Sequence, residues 1–150
     1  MLRSMLVIAL VLSSLLGIKA LAWGQPSLGV GLKIPLQLYA SLGITDRLSF
    51  EMGVPLALGT NSSLAAVGQL KLMVWTFDVA GFETVPYIGV GGHVGVETQG
   101  GLTIIKLLFH ALAGVDFPIP NTSFTILGEV WVMAGEGLSL VYNIGLRYDF

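Results

Sequence analysis

Charge is what this chain has least of. Asp, Glu, Lys and Arg make up only 11% of its 150 residues, and its mean hydropathy is +0.83, where an ordinary soluble domain is roughly a quarter charged. Too few charges are present to coat the outside of a water-soluble domain, so something apolar must surround the chain. Cysteine is absent altogether. That excludes the disulfide framework by which small exported domains replace a large core. Long apolar runs are also scarce: a membrane-spanning helix needs about 20 consecutive apolar residues, and beyond Gly24 every stretch is interrupted within a few positions by Gly, Asn, Gln, Ser or a charge. A helical membrane protein is therefore excluded. No basic stripe exists either, which removes nucleic acid as a partner.

The N-terminus is the one exception to this dispersal. Residues 1–22 carry Arg3, an apolar core from Met5 to Leu16, and then Ala20-Leu21-Ala22, the small-x-small pattern that signal peptidase accepts. The core is about a dozen residues long and is broken by Ser13, Ser14 and Gly17, too short for an uncleaved anchor. The expected organisation is a signal peptide over 1–22, cut after Ala22 with Ala20 and Ala22 in the recognition positions, and one domain over 23–150. That domain keeps Lys33, Arg47, Lys71, Lys106 and Arg147 against nine acids, a net charge of −4.

What the domain has is alternation. Segments of about 8 to 14 residues with a period of two are separated by clusters of Gly, Pro, Asn, Asp, Ser or Thr, the punctuation of strands and turns. Strands are predicted near 27–33, 36–44, 47–58, 64–76, 85–97, 103–117, 123–134 and 138–150. In the last, Leu138, Leu140, Tyr142, Ile144, Leu146, Tyr148 and Phe150 share one face, and Ser139, Val141, Asn143, Gly145, Arg147 and Asp149 the other. In the third, Leu48, Phe50, Met52, Val54, Leu56 and Leu58 oppose Arg47, Ser49, Glu51, Gly53, Pro55 and Ala57. In the fifth, Ile88, Val90, Val94 and Val96 oppose Tyr87, Gly89, Gly91, His93, Gly95 and Glu97.

A soluble sandwich or lipocalin-like barrel also alternates, so size decides the direction. The polar faces here are small, rich in glycine and carry most of the charges, whereas the apolar faces are bulky and unbroken. Small residues and charges fit the narrow lumen of an eight-stranded barrel, and bulky aliphatics fit lipid. The length agrees: a tilted membrane strand takes about 9–11 residues, which leaves short connections. The expected fold class is all-β, a transmembrane antiparallel up-and-down β-barrel of about eight strands.

Gly145-Leu146-Arg147-Tyr148-Asp149-Phe150, an alternating strand ending on Phe, resembles the closing strand of small bacterial outer-membrane barrels of the OmpA-like or OmpX-like type. Tyr87-Ile88-Gly89-Val90-Gly91-Gly92 and Ala113-Gly114-Val115-Asp116-Phe117 resemble the glycine-punctuated strands of the same family. The resemblance implies an outer-membrane location in a Gram-negative cell envelope, a lipid-bilayer environment, a monomer, and the barrel-assembly machinery as a partner that reads Tyr148 and Phe150. The short connections depart from the longer surface loops common in the family, which speaks against adhesion and host recognition.

Strand by strand, the alternation turns Lys33, Arg47, Glu51, Lys71, His93, Glu97, Lys106, His110, Asp116, Glu129, Arg147 and Asp149 inward. Arg or Lys at the lipid midplane costs about 2–4 kcal/mol, so a paired charge network in the lumen is the least costly arrangement. Catalytic residues are not expected. The rival, a lipid-modifying barrel enzyme, needs a nucleophile beside a base, and neither His93, flanked on its face by Gly91 and Gly95, nor His110 has a serine two residues away. Ser27, Ser41, Ser49 or Ser139 would have to reach a histidine across strands. A third reading, a soluble periplasmic ligand-binding barrel, needs the aliphatic faces turned inward.

No cofactor or metal is implied, because two histidines without cysteine give no ligand spacing and no calcium loop is present. Asn61-Ser62-Ser63 and Asn121-Thr122-Ser123 read as turns. The glycines at 89, 91, 92 and 95 lie in a strand with no following helix, unlike a nucleotide loop. Trp23, Trp75, Trp131, Tyr142 and Tyr148 suit interfacial girdles, yet strand phase turns Trp75 and Trp131 inward. Leu102 to Val115 places Lys106 and His110 four apart and matches an amphipathic helix equally well; the strand is expected because a lone helix would break barrel closure.

Overall fold

A computed structural model of the chain describes residues 27–34, 37–55, 64–99, 102–134 and 137–150. The expected signal segment and cleavage residues lie outside these, as does Trp23. All regular structure among the described residues is β: β1 (Leu28–Ile34), β2 (Gln37–Gly43), β3 (Leu48–Pro55), β4 (Leu64–Met73), β5 (Phe77–Val79), β6 (Phe82–Gln99), β7 (Leu102–Pro118), β8 (Phe124–Ala134) and β9 (Leu138–Asp149). Consecutive strands pair antiparallel, except that β4 and β5 do not pair with each other. β1 also pairs with β9, and β4 with β6, so the sheet closes on itself.

Eight staves make the barrel, because β4 and β5 are two parts of one. Between Met73↔Tyr87 and Phe77↔Thr84 the β4–β5 side carries one residue more than β6, which is a bulge. Pro86, opposite the break, has no N–H to donate to a ladder; its carbonyl accepts from Val74 N at 3.0 Å. The bulge takes Trp75 out of the strand and leaves it 60% exposed, so Trp75 does not take the inward placement expected from an unbroken 64–76 strand. Beyond the bulge a two-residue turn, Ala80 (φ 54°) and Gly81 (φ 85°), closes the β5–β6 hairpin, and Gly81 N donates to Asp78 Oδ1 at 2.8 Å.

The other described turns are equally local. In the β2–β3 turn the Thr45 hydroxyl accepts from the backbone of Arg47 and Leu48, at 3.3 and 3.0 Å. Between β7 and β8 Asn121 takes a left-handed φ of 61°, a conformation asparagine tolerates. The segment whose pattern also matched a helix is strand: β7 pairs with β6 from Asp116 to Leu102 and with β8 from Pro118 to Phe109. Closure decides this, since only strand hydrogen bonds satisfy both neighbouring edges.

The faces divide as bulk and polarity require. Leu32, Ile34, Leu70, Leu72, Ile88, Val90, Phe109, Leu140, Tyr142, Ile144 and Leu146 are exposed on the outside, while Lys33, Glu51, Gln69, Lys71, Asp116, Glu129 and Asn143 are buried within. An aliphatic exterior over a polar interior is the reverse of a soluble barrel.

That exterior makes a direct prediction. Val90, opposite Leu70 and 62% exposed, lies near the middle of its strand, so Val90→Arg is expected to destabilise the barrel in lipid vesicles by about 2–4 kcal/mol. Reversible urea unfolding followed by tryptophan fluorescence measures it, and a loss below 0.5 kcal/mol, typical of a surface site in water, would show that this face does not meet acyl chains.

Candidate functional site: a charged and aromatic lumen

The inward glycines make room for the large inward groups. Gly31 faces Tyr39 across the β1–β2 ladder, and Gly114 faces Tyr87 across β6–β7. A Cβ on Gly31 would stand 2.6 Å from the Tyr39 ring, and one on Gly114 2.5 Å from the Tyr87 ring. Each tyrosine ring fills the space that a side chain on the glycine beside it would need. The His110 ring does the same at Gly91. Small beside large is how a narrow barrel fills its interior.

Four charges meet in the middle. Glu51 on β3 and Glu129 on β8 stand four staves apart in the ring of eight, on opposite walls. Lys33 Nζ lies 2.6 Å from Glu51 and 2.9 Å from Glu129. Lys71 Nζ lies 2.5 Å from Glu51 and also pairs with Glu129. Each ammonium thus bridges both walls, and two cations against two anions leave the quartet neutral. Lys33 is wholly shielded, at 0% exposure. The remaining lone pairs are used: Glu51 accepts from Gln69 Nε2 at 2.6 Å, and Glu129 from Tyr87 Oη at 2.8 Å and Trp131 Nε1 at 2.9 Å. Lys33 and Lys71 also lie over the rings of Tyr39 and Tyr87, 4.5 and 4.3 Å from the centroids, so aromatic faces replace part of their lost hydration.

A second cluster lies nearer the end that carries both described termini. Arg147 Nη1 binds Asp116 at 2.8 Å and its Nε binds Asp149 at 2.6 Å, while Thr125 Oγ1 donates to Asp149 at 2.9 Å. On the other side of the quartet stand His93, His110 and Trp131. The His110 ring stacks on Trp131 with centroids 4.5 Å apart, and its Nε2 bonds Gln69 Oε1 at 3.2 Å. Among the described residues no serine hydroxyl hydrogen-bonds either histidine, so no nucleophile–base pair is assembled there.

Of the residues expected in the lumen, Lys33, Glu51, Lys71, Glu129, Asp116, Arg147 and Asp149 make these ion pairs, and His93 and His110 form the aromatic layer. Two are placed elsewhere. Arg47 is exposed in the β2–β3 turn, because β3 begins one residue later, at Leu48. Lys106 keeps the inward phase of β7 but is exposed, since it stands beyond Phe109, the last β7 residue paired with β8 among the described residues. The side chain of Glu97 lies outside the described residues. Tyr148 and Phe150 are exposed on the outer face and meet edge to face, with centroids 5.1 Å apart. Trp131, whose phase conflicted with a girdle role, is buried at 3% exposure as a donor to Glu129. Tyr39 and Gln69 were missed by sequence reasoning: uncharged, they are recognisable only through inward phase beside an expected charge.

The N-terminal β-barrel domain of Pseudomonas aeruginosa OprF superposes with a TM-score of 0.54 at 14% identity, over 83% of this chain and 96% of that one. The fold is that of a small outer-membrane barrel. Yersinia pestis outer-membrane protein Ail is a further structural neighbour, with a TM-score of 0.46 at 12% identity, over 85% of this chain and 100% of that one. No protein-family model and no curated protein sequence matches the chain.

Two sets of substitutions test the lumen. Glu51→Leu strips both lysines of one partner and is expected to cost about 3–5 kcal/mol in urea unfolding; the double variant Glu51→Leu with Lys33→Met should cost less than the sum of its singles, because it removes opposite charges together. Gly114→Val drives a side chain into the Tyr87 ring and is expected to cost about 1–3 kcal/mol, with Gly128→Val, where a Cβ meets nothing within 4 Å, as the control.

Proposed function

We propose that this protein is an integral, non-enzymatic barrel of the bacterial outer membrane, contributing to envelope structure and at most to slow passage of small solutes. The observation that carries this reading is the Lys33–Glu51–Lys71–Glu129 quartet, which fills the middle of the lumen from wall to wall. A lumen filled by side chains lacks the aqueous bore of the larger porins. The aliphatic exterior supports a bilayer as its surroundings. The absence of a serine bonded to His93 or His110 among the described residues speaks against lipid acyl-ester chemistry at that layer. In this reading residues 1–22 direct export and are removed after Ala22, the strand ending in Tyr148 and Phe150 is read by the barrel-assembly machinery, and the product is a monomer.

Cell fractionation tests it first. The protein is expected in the outer-membrane fraction, migrating on a gel at a different position when unboiled; recovery as a soluble periplasmic protein would overturn the proposal. Reconstituted into liposomes, it should leave sugar-driven swelling near the rate of empty vesicles, and porin-like swelling would refute a plugged lumen. His93→Ala and His110→Ala should leave membrane lipid composition unchanged.

A further inference from the structure

Two histidines that the sequence separates by 17 positions meet in the upper lumen. His93 faces Leu108 and His110 faces Gly91 across the β6–β7 ladder, so the two are diagonal neighbours on the inner face. Their ring centroids lie 4.8 Å apart with planes at 68°. His93 Nε2 and His110 Nδ1 are both buried and, among the described residues, without a hydrogen-bond partner. A buried imidazole nitrogen with nothing to bond is costly and unusual.

The network below fixes which nitrogen of His110 is available. Glu51 only accepts, so the Gln69 amide must turn its Nε2 toward Glu51, at 2.6 Å. Its Oε1 then faces His110 Nε2 at 3.2 Å and can only accept, which puts the ring proton on Nε2 and the lone pair on Nδ1. A carboxylate holding an amide that holds an imidazole is the arrangement that orients metal-binding histidines, with one amide interposed. Stacking on Trp131 fixes the ring further.

From these contacts we propose that His93 Nε2 and His110 Nδ1 form a binding site for one divalent transition-metal ion, with water completing its shell. The spacing suits a shared ion: with metal–nitrogen bonds of about 2.0–2.1 Å, two imidazoles at about 90–109° around one metal have ring centroids about 4.5–5.2 Å apart. Two imidazoles and water select copper, zinc or nickel over magnesium and calcium, which take oxygen ligands. The layer stands on the side of the quartet away from the described termini, and the His93 side chain is only partly buried, so that mouth is the side from which an aqueous ion would have to enter.

Copper(II), the tightest binder of the divalent series, is the probe. Untagged folded protein in detergent micelles, titrated with copper chloride in a non-chelating buffer, is expected to take up one ion per barrel. Its electron paramagnetic resonance spectrum should carry coupling to two imidazole nitrogens, and Trp131 emission should be quenched. His93→Asn and His110→Asn, each checked for folding by its gel shift on boiling, should lose the two-nitrogen pattern and bind at least about tenfold more weakly. Wild-type protein that retains no copper after desalting would overturn the site. So would a bound ion whose spectrum is the same in both variants, and a wild-type spectrum without two imidazole nitrogens refutes it even if neither variant folds.

Discussion

The constraint that governs this molecule is electrical neutrality inside a wall of hydrocarbon. An exterior of leucine, isoleucine and valine denies the interior charges any solvent through the sides of the barrel, so each charge needs a counter-charge and a full set of hydrogen bonds. Lys33, Lys71, Glu51 and Glu129 meet this together, with Gln69, Tyr87 and Trp131 occupying carboxylate lone pairs that would otherwise be unsatisfied. Because Glu51 and Glu129 sit on opposite walls, the same contacts that neutralise the charges brace the barrel across its diameter. A pair on a single stave satisfies the first requirement without the second; the Arg147–Asp149 contact within β9 is of that kind.

The lumen is organised in layers along the axis. Ion pairs of β7 and β9, joined by the Thr125 hydroxyl of β8, lie toward the described termini, the quartet fills the centre, and the rings of His93, His110 and Trp131 lie beyond it. Gln69 joins two of these layers, donating to Glu51 and accepting from His110. The imidazole layer is therefore held by the charge layer, and the orientation of one ring follows from a carboxylate on a strand that the ring does not touch.

Much of this was legible in the sequence because alternation is a strong signal when one face meets lipid and the other a packed interior. Polarity and bulk together gave the direction: glycine and charge share a face in β6 and β9, where a soluble barrel would place aliphatics. The alternation failed where backbone geometry intervenes. The bulge at residues 74–76 displaced Trp75, and one residue of difference at the start of β3 left Arg47 in a turn. Lys106 obeys the phase but lies past the last described β7–β8 pair, a matter of stave length that periodicity does not encode. Who pairs with whom was beyond reach, since Lys33 and Glu129 meet through the closing of the ring.

The glycine–tyrosine pairs act on more than packing. Sliding one strand past its neighbour by a single residue would exchange oil and charge between the two faces, an error the membrane itself rejects. A slip of two residues keeps every face intact, so hydrophobicity is blind to it. Such a slip would move Tyr39 from Gly31 to Gly29 or Lys33, and Tyr87 from Gly114 to Leu112 or Asp116. Three of those four new partners carry a side chain where the ring must lie, so the bare glycines serve as index marks that single out one alignment among those the bilayer would accept.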